Sequence, residues 1–220
     1  MTTEHDAPQP DKDRTGDRRR QRGTRSRQFI TRHAVDIASL DGLGGISFGR
    51  LADDLGISKP GIQTLFRTKE SLQLATVETA REVFVGAVIR PAQAAPEGAA
   101  RMRMLIERWI AYAEQPLFPG GCFWGATMPE FDSHPGQIRD GLLRQRRAWL
   151  DTLARQLERA AADRQLLETD IDLAVFQIDA MLNATNIALR LGDSDSIRKM
   201  RQVIDGLLLP NSRSQANCSP

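Results

Sequence analysis

The sequence is poor in cysteine and in aromatic residues. Its two cysteines, Cys122 and Cys218, are too few for a disulfide framework and are not spaced like metal ligands. Aromatic residues make up 5% of the chain, with a single tyrosine. Alanine, leucine and arginine are plentiful instead, and these residues favour helix over sheet. The composition therefore predicts an all-α protein.

Long apolar runs and a large excess of charge are also missing. No run approaches the roughly 20 residues that span a bilayer, and the polar N-terminus lacks the apolar core of a signal peptide. The 30 basic and 28 acidic residues leave a net charge of +2, so a basic surface must come from the distribution of charge. We expect a cytoplasmic protein without a membrane partner, with one large or two small cores.

The usual signatures of an enzyme active site are absent from the sequence. It has no glycine-rich phosphate loop, and its histidines, His5, His33 and His134, cannot be paired with a nucleophile. Glu130, Asp132 and His134 alternate in a way that can bind a metal, but such groups in a loop are more often solvated caps. We therefore expect no enzymatic activity, no metal site and no cofactor.

Residues 47–69, SFGRLADDLGISKPGIQTLFRTK, have the pattern of two short helices joined by a tight turn. Ser47 and Ser58 fit N-cap positions, because a serine hydroxyl accepts a hydrogen bond from a backbone N–H of the first turn. Gly56 suits the left-handed backbone that ends the first helix, and Pro60 suits the first turn of the second. The pattern predicts a helix-turn-helix, whose second helix enters the DNA major groove.

Polar residues in and around the second helix are candidates for DNA contacts. Lys59, Gln63 and Thr64 are expected to read bases, since glutamine can pair with adenine and threonine can touch a thymine methyl. Residues near helix ends are better placed for phosphates, and the two serines can equally be caps and nothing more. The full candidate set is Arg25, Ser47, Arg50, Ser58, Lys59, Pro60, Gly61, Gln63, Thr64, Thr68 and Lys69.

Several spacings within residues 25–75 fit one known family. They are Ala52-x-x-Leu55-Gly56-Ile57-Ser58, Phe66-x-x-Lys69-Glu70-x-Leu72, and Ala34-x-x-Ile37-Ala38 followed by glycines at 42, 44 and 45. This region resembles the N-terminal signature of the TetR family of transcriptional regulators, with Gln63 standing where the family usually has a tyrosine. The stretches FPGGCF and EFDSHPGQIRD resemble a sub-group of that family. The resemblance implies that an effector in a C-terminal pocket changes the spacing of two DNA-binding heads.

The first 24 residues are polar and have no apolar period, which predicts a disordered arm. Residues 18–27 carry six arginines and no acid. Such a run is either a solvated tail or an arm that follows phosphates or enters a minor groove. The expected organisation is about nine helices, divided into a basic arm (1–24), a helix-turn-helix domain (25–70), an effector-binding and dimerisation domain (71–210) and a disordered tail (211–220).

Helix ends and apolar stripes organise the C-terminal half. Pro91 is expected to end a helix that begins near Lys69, and Gly125 and Pro129 to break the segment that follows Cys122. The predicted helix at 171–191 carries two apolar stripes, and the second is explained if it packs on a twin subunit.

Aromatic residues in the middle of the chain suggest a pocket for a small molecule. Each of them can instead belong to an ordinary helical core. Cys122 has two interpretations, a sensor thiol with a lowered pKa at a helix N-terminus or a small buried apolar residue. The candidate lining residues are Trp109, Phe118, Cys122, Phe123, Trp124, Met128, Phe131, Trp149 and Phe176.

These observations predict a homodimeric, ligand-responsive transcriptional regulator. We expect a repressor that a small hydrophobic or aromatic effector releases from a near-palindromic double-stranded DNA operator. The alternative is a nucleoid-type structural protein that binds DNA with little sequence preference and has no effector.

Overall fold

The computed structural model describes residues 12–114, 117–166 and 170–208, which form nine helices. The one extended pairing within these residues is an isolated antiparallel bridge between Leu166 and Leu208, so the all-α prediction is confirmed. In chain order the helices are α1 (Lys12–Asp41), α2 (Phe48–Leu55), α3 (Lys59–Phe66), α4 (Lys69–Phe84, continued by a π-helical turn at Val85–Ile89 and by Arg90–Ala92), α5 (Ala99–Glu114), α6 (Phe123–Phe131), α7 (Gln137–Ala162), α8 (Ile171–Arg190) and α9 (Asp195–Leu207).

The helix-turn-helix forms with the predicted caps. The Ser47 hydroxyl accepts a hydrogen bond from the N–H of Arg50 at 3.1 Å, which satisfies a donor in the first turn of α2. The Ser58 hydroxyl does the same for Gly61 at 3.3 Å in α3. Gly56 ends α2 in the left-handed region at φ 63°, where a side chain would be strained. Local sequence therefore determines both ends of the turn.

Helix α1 begins much earlier than the sequence suggested. We expected it to start near residue 25, but it starts at Lys12, so residues 12–24 are helical and not disordered. Arginine is the commonest residue of this segment, and it is a good helix former that can extend a helix held in place further along. Residues 1–11 and 211–220, for which disorder was predicted, lie outside the described residues.

Two prolines lie inside helices that were expected to end or break there. α4 passes Pro91 and ends at Ala92, after a π-helical turn in which the N–H of Arg90 donates to the carbonyl of Val85. Gly125 and Pro129 do not interrupt the helix that follows Cys122 either, since both lie within α6. Pro129 falls in the last turn of this nine-residue helix, where it removes only one backbone hydrogen bond.

A continuous core joins the two ends of the molecule. α4 packs against α1 and α7, α5 packs against the π-helical turn and α7, and α8 packs against α7 and α9. α6 lies against α1, and this contact brings the C-terminal helices onto the helix-turn-helix end. The apolar cluster runs from Ile30 in α1 through Phe84 in α4 to Ile204 in α9. In the described part of the chain, no helix is long and apolar enough to cross a membrane.

Candidate DNA-binding surface and effector cavity

Helix α3 directs its polar residues outward. Ile62 and Phe66 are buried in the core, whereas Lys59, Gln63 and Thr64 are exposed. The Thr64 hydroxyl donates to a carbonyl of its own helix at 2.9 Å. The side chains of Lys59 and Gln63 have no hydrogen-bond or ion-pair partner among the residues that the structure describes. The three predicted base readers therefore share one accessible face of α3.

Arg27 fixes the end of this helix. Its Nη1 donates to the carbonyl of Leu65 at 2.9 Å, and its guanidinium lies 4.5 Å from the centre of the Phe66 ring. The sequence placed Arg27 in the acid-free basic run, but the structure uses it to join α1 to α3. The neighbouring Arg25 is exposed. The six arginines of residues 18–27 look alike in the sequence, so the sequence does not show that one of them packs against another helix.

Two of the predicted phosphate contacts have partners inside the domain. Arg50 Nη1 donates to the Asp41 carboxylate at 2.6 Å, and Lys69 Nζ donates to the Gly44 carbonyl at 2.9 Å. Both side chains remain exposed, but a phosphate must compete with these bonds. Thr68 caps α4 through its hydroxyl. The remaining candidates, Pro60 and Gly61, lie exposed in the first turn of α3.

A cavity of about 300 Å³ opens between α4, α5, α6, α7 and α8. Phe84 contributes one wall, with its ring at 89° to both Trp124 and Trp149 and centroid distances of 6.3 and 5.3 Å. All three tryptophans of the chain border the cavity. Of the predicted pocket residues, this cavity brings together Trp109, Cys122, Trp124, Met128 and Trp149.

The other four pocket candidates lie elsewhere. Phe118 and Phe123 are fully buried in the helical core and do not line the cavity. Phe131 borders a second cavity of about 320 Å³, which shares Met128 and Arg146 with the first. Phe176 is 66% exposed on α8, so the structure corrects its assignment to the pocket. Residue type alone could not distinguish these environments, because the phase of each helix decides which way a ring points.

An ion pair adds polar chemistry to the aromatic walls. Asp179 of α8 lines the cavity and is only 8% exposed. Its carboxylate accepts a hydrogen bond from Arg146 Nη2 at 2.6 Å, and the Arg146 side chain is 42% exposed. The sequence gives no sign that Arg146 pairs with Asp179, because the two residues are 33 positions apart. The cavity is therefore aromatic with one buried acidic group.

Cys122 occupies the N-cap position of α6 and is buried. Burial raises the pKa of its thiol, and this outweighs the backbone donors of Gly125 and Trp124, which act in the opposite direction. The sensor interpretation required a lowered pKa and an accessible thiolate. The structure instead favours the second interpretation, a small apolar residue in the cavity wall.

The C-terminal end of α6 holds the turn between α1 and α2. Glu130 accepts hydrogen bonds from the backbone N–H groups of Leu43 and Gly44, both at 2.6 Å. A Cβ on Gly44 would lie 2.6 Å from a Glu130 oxygen, so the glycine permits the close approach. On the other side of the turn, Gln73 of α4 donates to the Leu43 carbonyl at 2.8 Å. We call the two Glu130 bonds the carboxylate clamp.

This position of Glu130 differs from the roles that the sequence suggested for it. We considered it only with Asp132 and His134, as a possible metal ligand or a solvated cap. In the structure Asp132 accepts a hydrogen bond from Ser133, and His134 lies against the Glu130 carbonyl. The signal that could have revealed the clamp is the glycine-rich turn at 42–45, which leaves backbone N–H groups open to a carboxylate.

Helices α8 and α9 present an apolar surface to solvent. Leu173, Phe176 and Ile187 of α8 are 52%, 66% and 59% exposed, and Val203 of α9 is 43% exposed. The opposite stripe of α8 is buried, for example at Ile178. The sequence indicated two apolar stripes without telling which one faces outward. The structure resolves this, because the exposed stripe is the one that contains Phe176 and Ile187.

Comparisons with known proteins agree on one fold. Residues 98–204 match the family model described as "Tetracyclin repressor-like, C-terminal domain". A TetR transcriptional regulator from Chloroflexus aurantiacus J-10-FL is similar to it, with a TM-score of 0.77 and 21% identity over 86% of this chain and 100% of that one. No curated protein matches the sequence.

Two further solved structures were determined with bound molecules. AibR in complex with isovaleryl coenzyme A and operator DNA has a TM-score of 0.70 at 16% identity, over 84% of this chain and 99% of that one. A regulator from Saccharomonospora viridis in complex with choline has a TM-score of 0.72 at 17% identity, over 85% and 100%. At such identities the likeness establishes the fold. Together with the helix-turn-helix and the match over residues 98–204, it supports the identification of a TetR-family transcriptional regulator.

Proposed function

We propose that the protein is a homodimeric repressor that leaves its operator when a small molecule occupies the cavity between α4 and α8. One observation carries this proposal. The helix that supplies Trp124 and Met128 to the cavity also supplies Glu130 to the turn in front of α2. The two sites are thus joined by a single short helix, which a structural DNA-binding protein without an effector does not need.

The related structures support both kinds of partner. AibR was solved with a coenzyme A thioester and operator DNA, and the Saccharomonospora viridis regulator with choline. The same fold therefore accommodates ligands of different chemistry and a DNA duplex. Its use here for DNA and for a small effector is consistent with an exposed polar α3 and an aromatic cavity. Binding to chromosomal DNA places the proposed repressor in the cytoplasm.

Dimerisation through α8 and α9 accounts for the exposed apolar stripe. Pairing these helices with the same helices of a second chain forms a four-helix interface with two-fold symmetry. That symmetry presents two α3 helices to successive major grooves, about 34 Å apart, and a near-palindromic operator matches it. Single exposed apolar residues are common, but Leu173, Phe176 and Ile187 follow one another along one face of α8.

The carboxylate clamp is the proposed link between effector and DNA. A ligand that displaces Trp124 or Met128 moves α6, and Glu130 carries the movement to Leu43 and Gly44. The turn sets the direction in which the chain enters α2 and α3. An effector that binds better to the displaced arrangement shifts the population away from the one that fits DNA.

Selection of bound sequences from random DNA tests the DNA-binding part of the proposal. The expected result is a near-palindrome with half-sites about one helical turn apart. Enrichment of no sequence would instead favour the nucleoid-type alternative, which at present has no observation in its favour. A thermal-shift screen with small aromatic and amphiphilic compounds tests the effector part, since a ligand that binds only the folded state raises its melting temperature.

Substituting the exposed glutamine of α3 tests base reading. Gln63→Ala is expected to lose about 1–3 kcal/mol of discrimination at one base position of each half-site, because a bidentate contact to one base is removed. Competition binding against operators with single base changes measures it. Gln93→Ala, at an exposed glutamine beyond the end of α4, is the matched control. An unchanged preference at every position in the Gln63 variant would mean that another side chain reads the base.

Removing the basic N-terminal segment tests its contribution to DNA affinity. Deletion of residues 1–22 takes away four of the six arginines in the run and leaves Arg27 on α3. Affinity at low salt is expected to fall, and the slope of log affinity against log salt to decrease by up to about four, because fewer counterions are released. Filter binding at salt concentrations between about 50 and about 200 mM measures this slope. An unchanged slope would identify the segment as solvated.

A further inference from the structure

We propose that the effector is a small organic cation with an aromatic or apolar body, which takes the place of the Arg146 guanidinium beside Asp179. This inference rests on the proposed function, since it names the chemistry of the ligand that the cavity binds. Three features of the cavity lead to it: the arrangement of its aromatic rings, the burial of its carboxylate and the exposure of the group that now pairs with that carboxylate.

The aromatic rings form walls that stand at right angles. Phe84 makes an angle of 89° with Trp124 and with Trp149, and Trp109 lines the same space. Rings from four helices, α4 to α7, thus border the cavity on several sides. A cation gains electrostatic attraction from such rings, and the gain increases when water is excluded. A cavity of about 300 Å³ lies at the lower end of the range for small-molecule sites, so the ligand is small.

The carboxylate of Asp179 supplies the negative charge. Asp179 is 8% exposed, and Arg146 is its ion-pair partner in the described part of the chain. Asn183, which also lines the cavity, donates to the Asp179 backbone carbonyl and not to its carboxylate. A buried carboxylate needs a positive partner, since leaving it unpaired is costly. Any group that displaces Arg146 must therefore bring a positive charge.

Arg146 can leave, whereas Asp179 cannot. The Arg146 side chain is 42% exposed and lines both cavities, so its guanidinium can move away from Asp179 and remain hydrated. Asp179 is held in the core on α8. The exchange of one cation for another keeps the carboxylate neutralised, and the released arginine loses little because it is already partly in water.

Three other charged residues near the cavity do not change this balance. Arg81 is paired with Glu78 of its own helix. Arg155 and Asp151 are exposed residues of α7, one positive and one negative. Asp179 is thus the buried charge of the cavity, and an anionic ligand would have to approach it.

Three compounds with one shared body test the proposal: 3-phenylpropyltrimethylammonium, 3-phenylpropanol and 3-phenylpropanoate. Calorimetric titration of the full-length protein is expected to give the cation an affinity at least about tenfold above the other two. Tryptophan fluorescence is a local readout, because all three tryptophans border this cavity.

Two substitutions are expected to change the affinity for the cation in opposite directions. Asp179→Asn should weaken its binding by about tenfold or more and leave the alcohol unaffected. Arg146→Met should strengthen it, because the competing internal cation is gone. Circular dichroism and DNA binding without ligand, both unchanged, serve as folding controls, since neither residue touches α3. If either variant fails to fold, the three compounds titrated into the parent protein still decide the question.

Other outcomes would overturn the proposal in distinguishable ways. Tightest binding of 3-phenylpropanoate, weakened by Arg146→Met, would make the site a receptor for acids. Equal binding of the alcohol and the cation would make the ion pair purely structural. Either result would overturn the cation proposal but would still agree with the proposed function, a ligand-responsive regulator. No binding and no fluorescence change with any of the three would overturn the cation proposal, whereas the proposed function fails only if the thermal-shift screen also finds no ligand.

Discussion

Ile187→Glu is expected to turn the dimer into a monomer and to remove most of its affinity for the operator. Ile187 is 59% exposed in one chain and lies on the stripe proposed to meet the partner. Burying an unpaired carboxylate costs several kcal/mol, and each 1.4 kcal/mol is a factor of ten in the dissociation constant of the dimer. Two-fold symmetry places the substitution in the interface twice. The dissociation constant of the dimer should therefore increase by at least about a hundredfold. A single DNA head then loses the second half-site.

Light scattering at micromolar concentration measures this effect directly. The parent protein should have about twice the chain mass of 24.5 kDa, and Ile187→Glu the mass of one chain. Leu40→Glu is the matched control, because Leu40 is 58% exposed but lies at the end of α1, away from the proposed interface. A parent protein that is monomeric under these conditions would rule out the dimer and the two-groove arrangement built on it.

Glu130→Ala is expected to separate ligand binding from DNA release. The variant loses both bonds of the carboxylate clamp, each of which joins a charged group to a backbone N–H and contributes about 1.5–3 kcal/mol. Exchange of the Leu43 and Gly44 amides with deuterium should become at least about tenfold faster. A ligand found in the thermal-shift screen should still bind the cavity, but it should no longer change operator affinity by more than about twofold.

Asp132→Ala is the control for the clamp experiment. Asp132 follows α6 by one residue, carries the same charge and is exposed, and its carboxylate accepts its hydrogen bond from Ser133 instead of the turn. Amide exchange at Leu43 and Gly44 should remain as in the parent. If Glu130→Ala retains the full response of operator affinity to ligand, the signal travels by another contact, such as that between α1 and α4.

Local patterns predicted the DNA-binding end well. Serine caps, a left-handed glycine and an apolar face are properties of a few adjacent residues, and residues 47–69 contain all of them. The roles of Arg27 and Glu130 could not be predicted in this way. Their partners lie 38 and about 87 positions away, and only the packing of helices brings them together. A charged side chain in an acid-free run or a loop looks the same whether it binds DNA, water or a backbone group.

The effector site could be predicted only in part, for the same reason. Tryptophans at 109, 124 and 149 suggested an aromatic cavity, and all three line it. Phe123 and Phe176 have the same chemistry but different helix phases, and Phe118 lies in the turn before α6, so these rings lie in the core or on the surface. Asp179 was missed because it stands among the apolar residues of α8, and its partner is on another helix.

The π-helical turn at Val85–Ile89 has a mechanical consequence for α4. A π-helical turn holds one residue more than an α-helical turn, so α4 contains a local surplus of chain at the cavity wall formed by Phe84, Val85 and Ile89. Conversion to α-helical bonding would turn one end of the rod by about 100° relative to the other. The rod is therefore compliant in torsion at this turn. A twist applied near Pro91 can be absorbed there, so the position of the end that begins at Lys69 is set by its packing on α1 and α7.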